Sequence, residues 1–264
     1  MGRSTRGADY QQVPRPIAAL SDEYATGFHD QPHCHARGQL VYASKGVALV
    51  MTAQASFVVP PQRAVWVPPG VVHEVCARRQ LSVRTLYVSE EACLDLPKTC
   101  RVIEVSDLLR ELIIEAARMP IEYDVAGRDG KVMDLILAEL RTMHGAPLQV
   151  PMPSDERLLK VCTTILKDPS HGAPLDEWAD SAGMGRRTFT RTFHRETNVS
   201  FANWRQQVRL MEALSLLTTG QSVTDVAFVV GYSSSSAFTA MFRRTFGVPP
   251  TRFLQESTAA ETAG

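Results

Sequence analysis

With 264 residues, 44% of them apolar and 21% charged, the chain is long enough to bury two separate cores and is ordinary in composition. That balance excludes a disordered, collagen-like or membrane-embedded protein. Formal net charge is zero, so attraction to nucleic acid or to a charged surface has to arise locally.

The five cysteines (Cys34, Cys76, Cys93, Cys100 and Cys162) are scattered and odd in number, which points to free thiols in a reducing compartment. The first twenty residues lack an apolar stretch of signal-peptide length, and no apolar run approaches a membrane span. The expected location is the cytoplasm, with no membrane partner.

Residues 1–20 carry Gly2, Gly7, Pro14, Pro16 and scattered Arg and read as a mobile arm. From Tyr24 to Val88 short β runs alternate with turn residues. Gln39–Ala43, Val47–Met51, Phe57–Val59, Ala64–Val67, His73–Ala77 and Leu81–Val88 are the expected strands, and their number and spacing suggest a sandwich or barrel. Within this region Gly27, His33-Cys34-His35, Gln39 and Gly46 are followed by Pro68-Pro69-Gly70 and His73. In a strand, His33 and His35 would project from one face with Cys34 on the other.

The spacing of these residues resembles the two cupin motifs, with two departures. Gln39 stands where the motif has a Glu ligand, and Gln62 where a Gly is expected. The resemblance implies an all-β cupin-like jelly roll in which His33, His35 and His73 converge inside the mouth, with Gln39 nearby. Three neutral imidazoles and an amide oxygen suit nickel, cobalt, copper or zinc better than magnesium or calcium. The competing reading is a small organic ligand to which the imidazoles hydrogen-bond.

Two amphipathic helices follow, over Val105–Met119 and Lys131–Met143. They could pack on their own barrel or pair two subunits into a homodimer, with Leu112, Ile113, Leu135 and Ile136 as interface candidates. The domain boundaries are then an arm at 1–20, a sensor and dimerisation domain at 21–144 and a linker at 145–154. An all-α domain at 155–256 and a tail at 257–264 complete the chain.

The C-terminal domain contains one small unit twice. Leu175–Met184 aligns with Val223–Tyr232 without a gap, and Thr192–Val199 aligns with Met241–Val248 after one extra residue. Each copy reads as a short helix, a Gly turn and a second helix with Phe at i and i+4, the pattern of a helix-turn-helix. Ser222 with Asp225 forms a capping box for the second copy. A long helix from Ser200 to about Thr218 joins the copies and spans on the order of 28 Å, a little less than one turn of duplex. From Ser181 to Leu254 nine arginines face three acids, a local surplus suited to phosphate and guanine contacts in double-stranded DNA.

Gly231-Tyr232-Ser-Ser-Ser-Ser-Ala-Phe238 and Phe242-Arg-Arg-Thr-Phe246-Gly247-Val-Pro-Pro250 are similar to the signature of the AraC/XylS family of bacterial transcription regulators. The N-terminal His-rich segment is similar to the sensor half of one branch of that family. The resemblance implies a ligand-responsive regulator rather than an enzyme. Readers of this kind present the start of the second helix to base edges, which selects Arg186, Arg187, Thr190 and Arg191 in one head and Ser234, Ser235, Ser236 and Thr239 in the other. Arg243, Arg244 and Arg252 are the expected phosphate contacts. The alternative is a metal-dependent cupin enzyme with a DNA-binding domain attached.

Overall fold

The computed structural model describes residues 6–61, 63–77, 79–143, 145, 149–217 and 220–255. The first five residues of the arm, Gln62, part of the linker and the tail at 257–264 lie outside the described residues. The chain forms two compact units, Met1–Thr52 with Phe57–Pro147 and Ala53–Ser56 with Leu148–Gly264.

Among the described residues the first unit carries the strands β1 (Ile17–Tyr24), β2 (Phe28–His29), β3 (Gly38–Lys45), β4 (Ala48–Thr52), β5 (Ala55–Val59, whose first two residues fall in the second unit), β6 (Arg63–Val67), β7 (His73–Ala77), β8 (Leu81–Val88) and β9 (Arg101–Glu104). One sheet has the antiparallel order β1-β8-β3-β6-β9, and a second contains the run β5-β4-β7-β2. Two helices, α1 (Asp107–Ala116) and α2 (Arg128–Arg141), follow.

Strand alternation divides the first sheet between two environments. Ile17 and Ala19 of β1, Leu40 and Tyr42 of β3, and Leu86 and Val88 of β8 pack with Leu109, Ile113, Met133, Ile136 and Leu140 of the helices. The intervening positions, Leu20, Asp22, Tyr24, Gln39, Val41, Val83, Thr85 and Tyr87, face a partly open cavity. Burial on both faces explains why β3 and β8 read as nearly continuous apolar runs. Ser106 caps α1 by accepting the Leu109 N–H, and its hydroxyl donates to Glu139 of α2 at 2.9 Å, fastening the helix pair.

The described part of the supposed mobile arm is ordered. Gly7–Tyr10 forms a 3-10 turn, Tyr10 is fully buried and stacked on Tyr87 at 5.8 Å, and β1 begins at Ile17. The guanidinium of Arg37 donates to the carbonyls of Gln11, Val13, Arg15 and Tyr87, which ties the segment down. The expected linker is structured where described: Gly145 bridges to Ile103, and the Pro151 carbonyl accepts from the Trp204 indole at 2.8 Å. Of the interface candidates, Ile113 and Ile136 are 0% exposed and belong to the unit's own core, because α1 and α2 turn those residues onto the sheet.

The second unit holds α3 (Glu156–Lys167), α4 (Leu175–Ser181), α5 (Arg186–Thr197), α6 (Phe201–Leu217), α7 (Val223–Val229) and α8 (Ser235–Phe246). The repeat is carried into the backbone. Helices α4 and α7 each have 7 residues, and α5 and α8 each have 12. The turn glycines Gly183 and Gly231 are both left-handed, at φ +63° and +84°, a conformation that residues with a Cβ, Asn and Asp aside, rarely take without strain. Both repeats close with the same bond, Met184 N–H to Ala179 O at 2.9 Å and Tyr232 N–H to Ala227 O at 2.8 Å. Their second helices end alike, on left-handed Asn198 and Gly247. Buried aromatic rings cluster around each repeat, Phe189, Phe193 and Trp204 in the first and Phe238 and Phe242 in the second. No described helix is long and apolar enough to cross a membrane.

Candidate functional site

In the first unit, backbone pairing brings the three histidines together. His33 and His73 exchange reciprocal N–H to O bonds of 2.9 Å in an isolated antiparallel bridge, and the Gly70 N–H donates to the His35 carbonyl at 2.9 Å. His33 and His35 therefore do not lie in a regular strand as expected: a single bridge residue and the approach to β3 carry them. The convergence holds all the same, since one ligand atom from each of His33, His35 and His73 lies within 4.8 Å of the others.

The ring nitrogens are sorted by their partners. The Nδ1 of His33 sits 2.7 Å from the Gln31 carbonyl and that of His73 sits 2.9 Å from the Val71 carbonyl. Carbonyls only accept, so both Nδ1 atoms carry a hydrogen, and in the neutral ring form each Nε2 presents a lone pair. The Nε2 of His33 faces the Nε2 of His35 at 3.2 Å, and the Nε2 of His73 is buried without a partner among the described residues. Two nitrogens on one tetrahedral ion at ordinary zinc–imidazole distance would be about 3.3 Å apart. The set therefore fits a divalent ion, and carbonyls behind two of its imidazoles are the usual outer support of such ligands.

Burial, with the neighbouring imidazoles adding to it, lowers the His35 pKa to about 4, and burial lowers that of His73 as well. Both rings are thereby kept in the neutral form that a metal needs.

Gln39 lines the same cavity. Its amide N–H points at the Tyr87 hydroxyl at 3.5 Å, its Oε1 is buried without a partner among the described residues, and the Tyr87 ring lies edge-on to His35 at 5.2 Å. The cavity measures about 600 Å³ and is walled by Tyr24, Phe28, Val75 and the strand positions named above, with Arg6, Gly7, Ala8 and Gln11 along one edge. Tyr87, Asp30 and these N-terminal residues are site components that motif spacing does not reveal. The alternation of β8 carries a signal for Tyr87, but nothing in the sequence folds residues 6–11 back over the sheet.

In the second unit the DNA-facing candidates open two equivalent helices. Arg186, Arg187, Thr190 and Arg191 occupy the first half of α5, and Ser235, Ser236 and Thr239 occupy the matching half of α8. Arg187, Arg191, Ser236, Arg243, Arg244 and Arg252 are exposed. Arg186 pairs with Asp176 at 3.2 Å across the turn, a surface contact worth little. Ser234 is the N-cap of α8 and accepts the Ala237 N–H, while the Thr190 hydroxyl donates to the Arg186 carbonyl, so these two side chains also serve their own helices. Two arginines in the surplus are engaged inside the unit. Arg205 donates to the carbonyls of Ala173 and His171, and Arg209 to those of Pro169 and Gly231.

An AraC-like ligand binding domain matches residues 16–141, and a helix-turn-helix domain matches residues 178–256. The chain is 31% identical over 242 residues to the HTH-type transcriptional regulator NimR of Escherichia coli K12, covering 92% of this chain and 87% of that protein. It is 29% identical over 149 residues to the HTH-type transcriptional activator RhaS of an E. coli strain, covering 54% and 51%. Among solved structures, ToxT from Vibrio cholerae aligns over 91% of this chain and 98% of that chain at 11% identity and a TM-score of 0.39. The DNA-binding domain of AdpA in complex with a target DNA aligns over 40% and 96% at 30% identity and a TM-score of 0.38. The sequence relatives are transcription regulators, and the alternative of a cupin enzyme finds no support among them.

Because His35 and His73 stay neutral in the fold while an unfolded histidine titrates near 6.5, the unfolded chain binds more protons below that pH. Metal-free protein should lose stability as pH falls from about 6.5 toward about 4. Thermal melts of chelator-treated wild type and His35→Asn across that window check this. The variant should show the shallower dependence, and equal slopes would contradict the assignment.

Proposed function

The chain belongs to the AraC family of transcriptional regulators, ligand-responsive proteins that bind DNA, and from that premise we propose that its effector is a divalent transition metal. His33, His35 and His73 would hold the ion, with Gln39 as a further oxygen donor. The observation that carries this reading is the orphaned Nε2 of His73, buried and opposed to two other imidazoles. An unpartnered buried acceptor costs about 1–3 kcal/mol, and a cation removes that cost. An all-neutral donor set selects nickel, cobalt or zinc by softness. Metal-stripped protein titrated calorimetrically should bind at least one of the three more than about 100-fold tighter than His33→Ala/His35→Ala does. Equal affinities would end the metal reading.

The size of the cavity favours a second reading, in which the effector is a small organic molecule. Pockets that enclose such ligands run to roughly 300–1,000 Å³, and about 600 Å³ is available here. The same titration separates the two, because an organic inducer leaves metal affinity at the level of the double variant.

Sequence recognition we assign to α5 and α8, with Arg186 and Arg187 reading bases and Arg243, Arg244 and Arg252 holding phosphates. Thr190, Arg191, Ser234, Ser235, Ser236 and Thr239 are the remaining candidates at the groove. Arg187→Ala should cost about 1–3 kcal/mol and relax specificity at one position. Arg243→Ala should weaken all sequences alike and lower the salt slope by about one. Identical behaviour of the two variants across a library of operator mutants would undo this division. Binding to chromosomal DNA also puts the working location in the cytoplasm.

We further propose a homodimer formed through the helix pair of the first unit. Leu108 and Leu135 are 49% and 42% exposed on α1 and α2, and Leu112 is partly buried beside them. DNA readers with paired sites are commonly dimers of this kind. Sedimentation of the full chain at micromolar concentration should give a dimer that Leu108→Glu/Leu135→Glu converts to monomer. A monomeric wild type would contradict the proposal.

A further inference from the structure

Arg209 stands apart from the other arginines of the helical unit. It lies midway along α6, and its guanidinium bridges the α3–α4 segment ahead of the first repeat and the turn of the second. The Nε–H donates to the Pro169 carbonyl at 3.3 Å, in the segment leading into the first repeat, and Nη1 donates to the Gly231 carbonyl at 3.3 Å, in the turn of the second. One helical turn earlier Arg205 holds the same α3–α4 segment and the Trp178 ring of α4. It donates to the carbonyls of Ala173 at 3.0 Å and His171 at 2.8 Å and lies over the rings of Trp178 and Phe201.

The second repeat is shaped to receive Arg209. A Cβ added at Gly231 would come within 3.0 Å of the guanidinium carbon and of one of its nitrogens. The glycine therefore supplies the space in which the guanidinium rests as well as the left-handed turn. Tyr232, the next residue, also lies in the field of Arg209. A planar fork with donors on separate edges can serve two carbonyls in different directions, whereas a lysine ammonium is a single point.

We propose that Arg209 is a positioning residue that fixes the two DNA-reading helices relative to each other and so sets the half-site spacing the chain accepts. This rests on the reading of α5 and α8 as two heads on one duplex. When two linked heads engage together, the second binds at an effective concentration set by the geometry of the link. Loosening the clamp then lowers affinity for tandem half-sites without touching either head's own contacts.

The test uses the full chain and an operator selected from a random duplex library. It is compared with one duplex that has either half-site scrambled and another with one base pair inserted between the half-sites. Arg209→Gln and Arg209→Lys should each bind the intact operator about tenfold more weakly than wild type. Both should leave the scrambled duplex within about twofold, keep the wild-type salt slope, and lose less on insertion than wild type does. The lysine variant keeps the charge and covers the case in which the glutamine variant melts early. Wild-type behaviour of Arg209→Lys would overturn the proposal, as would equal weakening on intact and scrambled duplexes with a reduced salt slope. A wild type that binds intact and scrambled duplexes equally would instead remove the two-head reading, and the proposal with it.

Discussion

The reciprocal bridge between His33 and His73 is the interaction on which the sensing half depends. Two backbone bonds fix the stretch before β3 against the start of β7, and the Gly70 N–H to His35 bond fixes the neighbouring loop. Side-chain geometry follows from that pairing. Once the backbones are locked, local carbonyls take the Nδ1–H groups of His33 and His73 and turn their lone pairs inward. A site arranged this way needs little reorganisation when a cation or donor group arrives, which is what preorganisation means energetically.

The helical half has a different task, that of holding two similar repeats on one shared helix. Each repeat has its own left-handed glycine, its own closing bond and its own left-handed helix end. What they share is α6, and α6 spends two arginines on carbonyl contacts within the unit. Those contacts occupy donors of two guanidiniums without removing their charge, and the exposed arginines of the unit lie on α5, on α8 and in the helical turn that contains Arg252.

Much of this was legible in the residues themselves. The repeat, its one-residue slip and the equivalent Asn198 and Gly247 follow from aligning the chain with itself, because turn chemistry is local. The convergence of His33, His35 and His73 follows from motif spacing, although the backbone reaching it is a bridge and a loop rather than a strand. Strand β1 was hidden because Ile17–Leu20 is buried on both sides and Ser21–Tyr24 is polar, so no simple alternation marks it. The ordering of Tyr10 is equally silent, since it depends on distant Tyr87 and on the carbonyls gathered by Arg37. Periodicity showed that Ile113 and Ile136 face something apolar, but it could not say that the partner was their own sheet. For Arg205 and Arg209 composition suggested DNA, and only tertiary packing reveals the carbonyls they serve.

On the proposed function, occupancy of the first unit's cavity and binding of DNA are coupled. Coupling is reciprocal: a ligand that changes operator affinity by some factor must have its own affinity changed by that factor when operator is bound. Nickel, cobalt or zinc affinity measured with and without saturating operator tests this most directly. The account predicts a shift of about 5- to 150-fold, equal to the change in operator affinity between metal-free and metal-loaded protein. Metal bound with the same affinity in both states would contradict it.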